Sequence, residues 1–171
     1  FFVQDENSKK LLNSINLKKV TVAGDTRFDR VSKILEQDNS LDFINAFKDN
    51  YFTIVAGSTW QEDEELLVNY INTKALEDEK VIIAPHNIKS DAILELQKSI
   101  KKKTVLYSNV ISSLSTSLKI NSVEKSKNLK EYQVFIIDTI GILTKIYAAA
   151  DVAYVGGGLK TGLHNILEPA T

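Results

Sequence analysis

Ala153-Tyr154-Val155-Gly156-Gly157-Gly158-Leu159-Lys160-Thr161-Gly162-Leu163-His164-Asn165-Ile166-Leu167-Glu168-Pro169-Ala170 is the stretch that decides the fold. An apolar strand runs into three glycines, then a fourth, then His-Asn-x-x-Glu, read as the start of a helix. Glycine lets a backbone turn sharply and lets a ligand approach its N–H groups. A helix N-terminus offers unpaired donors and a partial positive charge, which suits a phosphate. Asn165 and Glu168 are three apart, so on a helix they share a face. A carboxylate placed there can accept both hydroxyls of a ribose. The pattern points to a nucleotide or nucleotide-sugar held at the carboxyl end of a parallel sheet. The spacing is not the Gly-x-Gly-x-x-Gly dinucleotide fingerprint.

Working back from this site, short apolar runs alternate with amphipathic stretches. Strands are expected at 1–3, 19–23, 51–56, 81–84, 104–107, 134–137 and 152–155. Helices are expected at 8–15, 28–37, 41–47, 62–72, 90–100 and 143–150. The segment 108–130, rich in Ser, Lys and Asn, reads as a long loop. Repeated strand–helix–strand order predicts an α/β fold, a Rossmann-like doubly wound parallel sheet. Val81-Ile82-Ile83-Ala84 is apolar on both faces, as a buried parallel strand requires. The first thirty residues read differently, as the closing piece of a preceding domain plus a linker. No internal repeat is visible.

Ligands in this class bind at the carboxyl ends of strands. Four exits carry polar or glycine residues: Gly57-Ser58-Thr59-Trp60, Pro85-His86-Asn87, Asp138-Thr139-Ile140-Gly141 and Gly156-Gly157-Gly158. All four are expected on one edge of the sheet. Thr59-Trp60-Gln61-Glu62 fits a capping box, with Thr59 capping and Glu62 reaching back. It is either a plain helix cap or, with Ser58, a contact for a phosphate or carboxylate. His86 is either a stacking or hydrogen-bonding partner for a base or a structural histidine. Asp138-Thr139-Ile140-Gly141 is either a tight turn or a receiver of base or phosphate.

Composition narrows the classes. A 43% hydrophobic, 25% charged chain of 171 residues can bury an ordinary core. A net charge of −1 argues against a general nucleic-acid binder. Two histidines without a cysteine rarely make a zinc site, and no disulfide framework is possible. No run of about 18 apolar residues is present to span a membrane. The absence of methionine, and an end at Thr171 directly after the site, read as a piece of a larger protein.

The chain resembles bacterial Kdo (3-deoxy-D-manno-octulosonic acid) transferases in four stretches, in order along nearly its whole length. Gly24-Asp25-Thr26-Arg27-Phe28-Asp29-Arg30 resembles the family's Gly-Asp-Thr-Arg-Phe-Asp-Arg. Gly57-Ser58-Thr59 followed by acidic residues resembles Ser-Thr-x-x-Gly-Glu-Glu, and Asp138-Thr139-Ile140-Gly141 resembles Asp-Thr-x-Gly-Glu-Leu. Tyr154 to Gly158 and His164 to Ala170 resemble Phe-Val-Gly-Gly-Ser and Gly-Gly-His-Asn-Pro-Leu-Glu-Pro-Ala. Three positions depart from the pattern. Ala84 stands before Pro85-His86 with no arginine between, Ile142 replaces the glutamate, and Leu163 replaces the glycine before the histidine. Lys89 is the candidate substitute for the arginine.

The resemblance implies the C-terminal half of a B-type glycosyltransferase fold, truncated. Residues 1–30 would end the N-terminal acceptor domain, and residues 31–171 would form the donor-binding domain. It implies CMP-Kdo as donor, a lipid A precursor as acceptor, no metal or other cofactor, and a place at the cytoplasmic face of the inner membrane. The membrane association and the catalytic carboxylate would belong to the N-terminal domain, leaving no catalytic residue in this chain. The implied donor-binding residues are Ser58, Thr59, Pro85, His86, Asn87, Thr139, Ile140, Gly141, Gly156, Gly157, Gly158, His164, Asn165 and Glu168. Glycine N–H groups would meet the charge on the departing CMP, Glu168 the ribose, and Asn165 the phosphate or its loop. The His86 and Thr139 exits would frame the cytosine. Other readings are a UDP-sugar transferase or epimerase, and a non-catalytic nucleotide-binding domain.

Overall fold

A computed structural model describes residues 1–115, 129–160, 162, 164 and 166–170. They divide into two compact units, Phe1–Asp38 with the far C-terminus, and Asn39–Pro169.

In the first unit, β1 (Phe2–Val3) pairs parallel with β2 (Thr21–Val22) across α1 (Glu6–Ser14). Asp5 caps α1 by accepting the Ser8 N–H at 2.7 Å. Asp25 caps α2 (Thr26–Leu35) through the Arg27 N–H, and the same carboxylate takes the Arg27 guanidinium at 2.6 Å. The Gly24–Arg30 motif is therefore the start of a helix, and a division at 30/31 falls inside α2.

The second unit holds α3 (Asp42–Lys48), β3 (Phe52–Thr59), α4 (Gln61–Thr73), β4 (Glu79–Pro85), α5 (Ser90–Ser99), β5 (Thr104–Leu106), α6 (Tyr107–Ser115), β6 (Val134–Ile136), α7 (Leu143–Tyr147) and β7 (Val152–Val155). The sheet runs β5-β6-β4-β3-β7, every pair parallel. Alternate residues of each strand feed two cores. Val55, Ile82 and Phe135 pack with Ile44, Phe47 and Ile146 on one face. Val81, Ile83, Val134 and Ile136 pack with Ile71, Ile93 and Leu96 on the other. Phe47 and Phe135 meet edge to face at 5.3 Å between ring centres, and truncating either costs about 3–5 kcal/mol. The expected doubly wound α/β sheet is what the chain forms. The chain leaves β3 toward β4 on one side and returns to β3's other side only with β7. The switch point of the topology is thus the crevice between β3 and β7, where such sheets bind ligands.

The segment expected to be a loop from 108 begins as a helix, α6. Its serines do not compete with the helix because their hydroxyls donate back to it: Ser112 Oγ to the Ser108 carbonyl at 2.7 Å, and Ser113 Oγ to that of Val110. Val110 is buried in the core beside Leu129 and pins the helix down. The rest of the predicted loop, 116–128, lies outside the described residues.

Candidate functional site

The site is built where β3 ends. Its pairing with β4 runs Gly57 to Ala84 and then Thr59 to Pro85, so Ser58 is an extra residue, a bulge. Ser58 sits at φ +54°, a conformation uncommon for a residue with a Cβ. The bulge lets the Thr59 carbonyl accept the His86 N–H at 2.8 Å and aims Trp60 across the exit. On the other side, Gly156 N–H donates to the Gly57 carbonyl at 2.9 Å. A Cβ on Gly156 would lie 2.7 Å from Thr59 Cα and closer still to the Ser58 carbonyl oxygen. Glycine is needed here because two backbones touch, and the β3, β4 and β7 exits are held together by that contact.

Helix α4 starts one residue later than the expected capping box. Trp60 is the N-cap, and Asp63 accepts its N–H at 2.9 Å. Thr59 instead donates its hydroxyl to Glu64 at 3.1 Å, and Glu62 pairs with Lys160 at 2.7 Å. The bulge explains the shift: it turns Thr59 into the buried sheet edge, leaving Trp60 as the first residue outside the strand. Asp63 is only 1% exposed. The oxygen that accepts the Trp60 N–H also accepts the Gly157 N–H at 2.9 Å, and the other accepts the Tyr154 hydroxyl at 2.6 Å. Burial pushes the Asp63 carboxyl up, but the Tyr154 hydroxyl and the Trp60 and Gly157 amides outweigh burial and hold it below the usual carboxylate range. Glu64 shifts the other way, raised by burial and by repulsion from Asp63 against the Thr59 bond.

Trp60, His86 and His164 form one stack. Trp60 and His86 are 4.3 Å apart at 23°, and His86 and His164 are 5.0 Å apart at 25°. The Trp60 indole N–H donates to His164 Nε2 at 2.8 Å, so that nitrogen is an acceptor and the proton of a neutral ring stands on Nδ1. The His164 N–H donates to the Gly156 carbonyl. The exposed edge of His86 leaves a flat π surface at the sheet edge, the kind of platform on which a base stacks.

Glu168 accepts the Thr144 hydroxyl at 3.0 Å, at the first turn of α7. Burial, with the Glu168 charge nearby, pushes the Tyr147 phenol up to about 12. Gly57 lies against that ring, and a Cβ there would lie 2.7 Å from Tyr147 Cζ. Residues 167–170 form a turn, and the described residues between 162 and 170 form no helix. Asn165 lies outside the described residues.

The remaining expected residues scatter more. Pro85 ends β4, buried. Asn87 accepts the Lys89 N–H before α5 and lines a cleft of ≈ 460 Å³ with Thr59, Trp60, Glu64, Val68 and Leu96. Thr139, Ile140 and Gly141 form a turn in which Ile140 is 80% exposed and Gly141 takes φ +96°. Asp138 beside them caps α6, accepting the Ser108 N–H at 2.9 Å. Gly156 and Gly157 already spend their N–H groups on protein acceptors. Among the described residues, none accepts from the exposed Gly158 N–H. Sequence reasoning passed over Asp63, Tyr154 and Thr144. Asp63 was hidden in the run Glu62-Asp63-Glu64-Glu65, where its shorter side chain was the one sign that it differed. Among the described residues no group of three or more His, Cys, Asp or Glu is placed to hold a metal ion, and no helix is long and apolar enough to cross a membrane.

A 3-deoxy-D-manno-octulosonic acid transferase of Rickettsia prowazekii is 26% identical over 98% of this chain, and one of Chlamydophila psittaci is 26% identical over 99%. The chain is similar to Kdo transferases throughout. A bifunctional glycosyltransferase/methyltransferase of Fusobacterium nucleatum is 28% identical over 99% of it. The chain spans 25% of that relative and 34% of the Rickettsia protein. The crystal structure of the C-terminal CMP-Kdo binding domain of WaaA from Acinetobacter baumannii superposes with a TM-score of 0.53 at 23% identity, over 81% of this chain and 64% of that one. The helix-flanked parallel sheet is therefore the fold of that domain. No protein-family profile matches the chain.

Proposed function

We propose that this chain is the donor-binding part of a Kdo transferase, which moves Kdo from CMP-Kdo to a lipid A precursor. The observation that carries the reading is the convergence of the β3, β4 and β7 exits on one stacked cluster at the switch point. That convergence occurs in a chain similar to Kdo transferases over 98% of its length.

In the reaction, the bond between the sugar's anomeric carbon and the CMP phosphate breaks, and its electron pair leaves on the phosphate oxygen. The acceptor hydroxyl oxygen bonds to that carbon and gives its proton to a base. This chain's share is to hold CMP and steady the charge it gains. Ser58 and the Gly158 N–H, beside the turn at Gly156 and Gly157, are the phosphate group, with the buried Thr59 fixing that strand end through its bond to Glu64. The cytosine stacks at His86 and His164, with Pro85, Asn87 and the Thr139-Ile140-Gly141 turn around it. Glu168 exchanges its bond to Thr144 for the ribose hydroxyls, with Asn165 nearby in sequence. The acceptor, the base, the membrane contact at the cytoplasmic face and any role for residues 1–30 as the close of an acceptor domain are assigned to the longer protein. No metal is assigned to the transfer.

Titration with CMP against UMP, UDP and NAD tests this, read by the fluorescence of Trp60, the single tryptophan. CMP is expected to bind best. A preference for UDP would move the assignment to a UDP-sugar enzyme. Glu168→Ala should weaken CMP about tenfold, the loss of a hydrogen bond to a charged group, with the fold intact. Unchanged CMP affinity would sink the ribose role.

A further inference from the structure

The hydrogen bonds at the sheet edge close into a ring. Asp63 holds the Trp60 N–H, the Trp60 indole holds His164 Nε2, the His164 N–H is held by the Gly156 carbonyl, and Gly157, next in the chain, returns its N–H to Asp63. The ring joins two stretches of chain, the start of α4 at Trp60 and Asp63 and the segment after β7 at Gly156, Gly157 and His164. Both points that fix His164, its ring nitrogen and its backbone N–H, lead back to the same carboxylate. A third donor, the Tyr154 hydroxyl, fills the other oxygen and leaves Asp63 no spare acceptor facing solvent. With 1% exposure, Asp63 cannot touch a bound nucleotide.

We propose that Asp63 is the positioning residue of the site: it sets the distance between the Trp60–His86–His164 stack and the glycine turn, and so governs nucleotide affinity without contacting the nucleotide. The part that concerns nucleotides rests on the donor-binding reading above; the ring itself does not. One carboxylate oxygen accepts both amides and the other accepts the phenol, all as bonds to a charged acceptor. An asparagine can keep the amides only by turning its NH2 to the Tyr154 oxygen, which must then accept, and every bond loses the charge. Supporting residues of this kind fix the geometry of those that touch ligand, and their loss is felt at the ligand.

The experiment compares the unaltered chain with Asp63→Asn, Asp63→Glu and Tyr154→Phe, first without ligand and then with CMP. Ligand-free NMR follows the Trp60 indole N–H, the Gly157 amide and the His164 ring. In Asp63→Asn all three should move, while the amides of β3, β4 and β6 hold their positions and report an intact sheet. Tyr154→Phe removes only the phenol bond, so the Trp60 and His164 signals should stay. CMP affinity should then fall about tenfold in Asp63→Asn and little in Tyr154→Phe. If Asp63→Asn does not fold, Asp63→Glu keeps the charge but displaces the oxygens by a methylene, and the same signals should move in it. Unmoved Trp60 and His164 signals in a folded Asp63 variant overturn the ring whatever ligand binds. Moved signals with unchanged CMP affinity overturn its control of the nucleotide. Failure of the unaltered chain to bind CMP counts against the donor reading, while the ligand-free spectra still decide the ring.

Discussion

At the amino edge of the five-stranded sheet, the Lys48 ammonium meets Asp151 at 2.9 Å, and the same Asp151 oxygen accepts the Thr53 N–H at 2.8 Å. Lys80, buried nearby on β4, gives its ammonium to the carbonyls of Lys130 and Tyr132 and lies over the rings of Phe47 and Tyr51. At the carboxyl edge, the buried carboxylate of Asp63 is met by neutral donors, and the groups around it are two histidines, an indole and a glycine turn. Charge at the amino edge is consumed by opposite charge or by carbonyls, which ties loops to strands. Charge at the carboxyl edge is consumed in arranging groups that face outward. The comparison teaches that polar burial in this sheet supports stability at one end and geometry at the other.

That contrast can be broken from either end. Gly156→Ala should have the largest effect. Its Cβ meets rigid backbone at Ser58 and Thr59, so about 3 kcal/mol of stability and most CMP binding should go together, as read by urea unfolding and titration. Gly57→Ala should cost about 2 kcal/mol, because its clash is with the Tyr147 side chain. Tyr147→Phe in the same chain should recover part of that loss, and strict additivity of the two changes would show that the contact is not the cause. Lys80→Met should cost about 1 kcal/mol and leave CMP affinity alone; a change in affinity would erase the distinction between the edges.

The smallest effect is in pH. The bond from the Lys48 ammonium, then the Thr53 N–H, holds the Asp151 carboxyl below its ordinary 3.8. A carboxyl lowered on folding adds stability above its unfolded value and loses it as pH falls through the folded one. Asp63 acts in the same direction. Glu64, raised above 4.5 by burial, acts oppositely: its contribution is present below the unfolded value and lost as pH rises through the folded one. Asp151→Asn should therefore flatten the acid-side loss of the urea midpoint, and Glu64→Gln should flatten the opposing rise. An Asp151→Asn profile identical to that of the parent below about pH 4 would remove Asp151 from the account.

Much of this was legible because parallel strands announce themselves. The runs at 51–56, 81–84 and 152–155 are mostly apolar, and each is followed by glycine or a polar cluster. The β3, β4 and β7 exits were therefore found in sequence and meet in space. The helix at 107–115 was not, because serine content argues for a loop unless one knows that the hydroxyls bond back and that Val110 is covered. The capping register was missed by one residue because the bulge at Ser58 leaves no composition signal. Asp63 was missed because a run of four acidic residues looks like a solvated first turn, and only packing shows which one turns inward. Glu168 was singled out for a helical face shared with Asn165; Thr144, far away in sequence, is what holds it.

The order of strands carries a kinetic consequence. β3 and β4 pair across a single helix and can form while the chain is short. The other side of β3 must wait for β7, whose anchor Asp151 is 98 residues from its partner Thr53. Closing a loop of that length is an entropic delay, and non-local parallel pairing is slow. During synthesis β3 would therefore stand with one bare edge until β7 has emerged, an opening through which a neighbouring nascent chain could pair in place of β7.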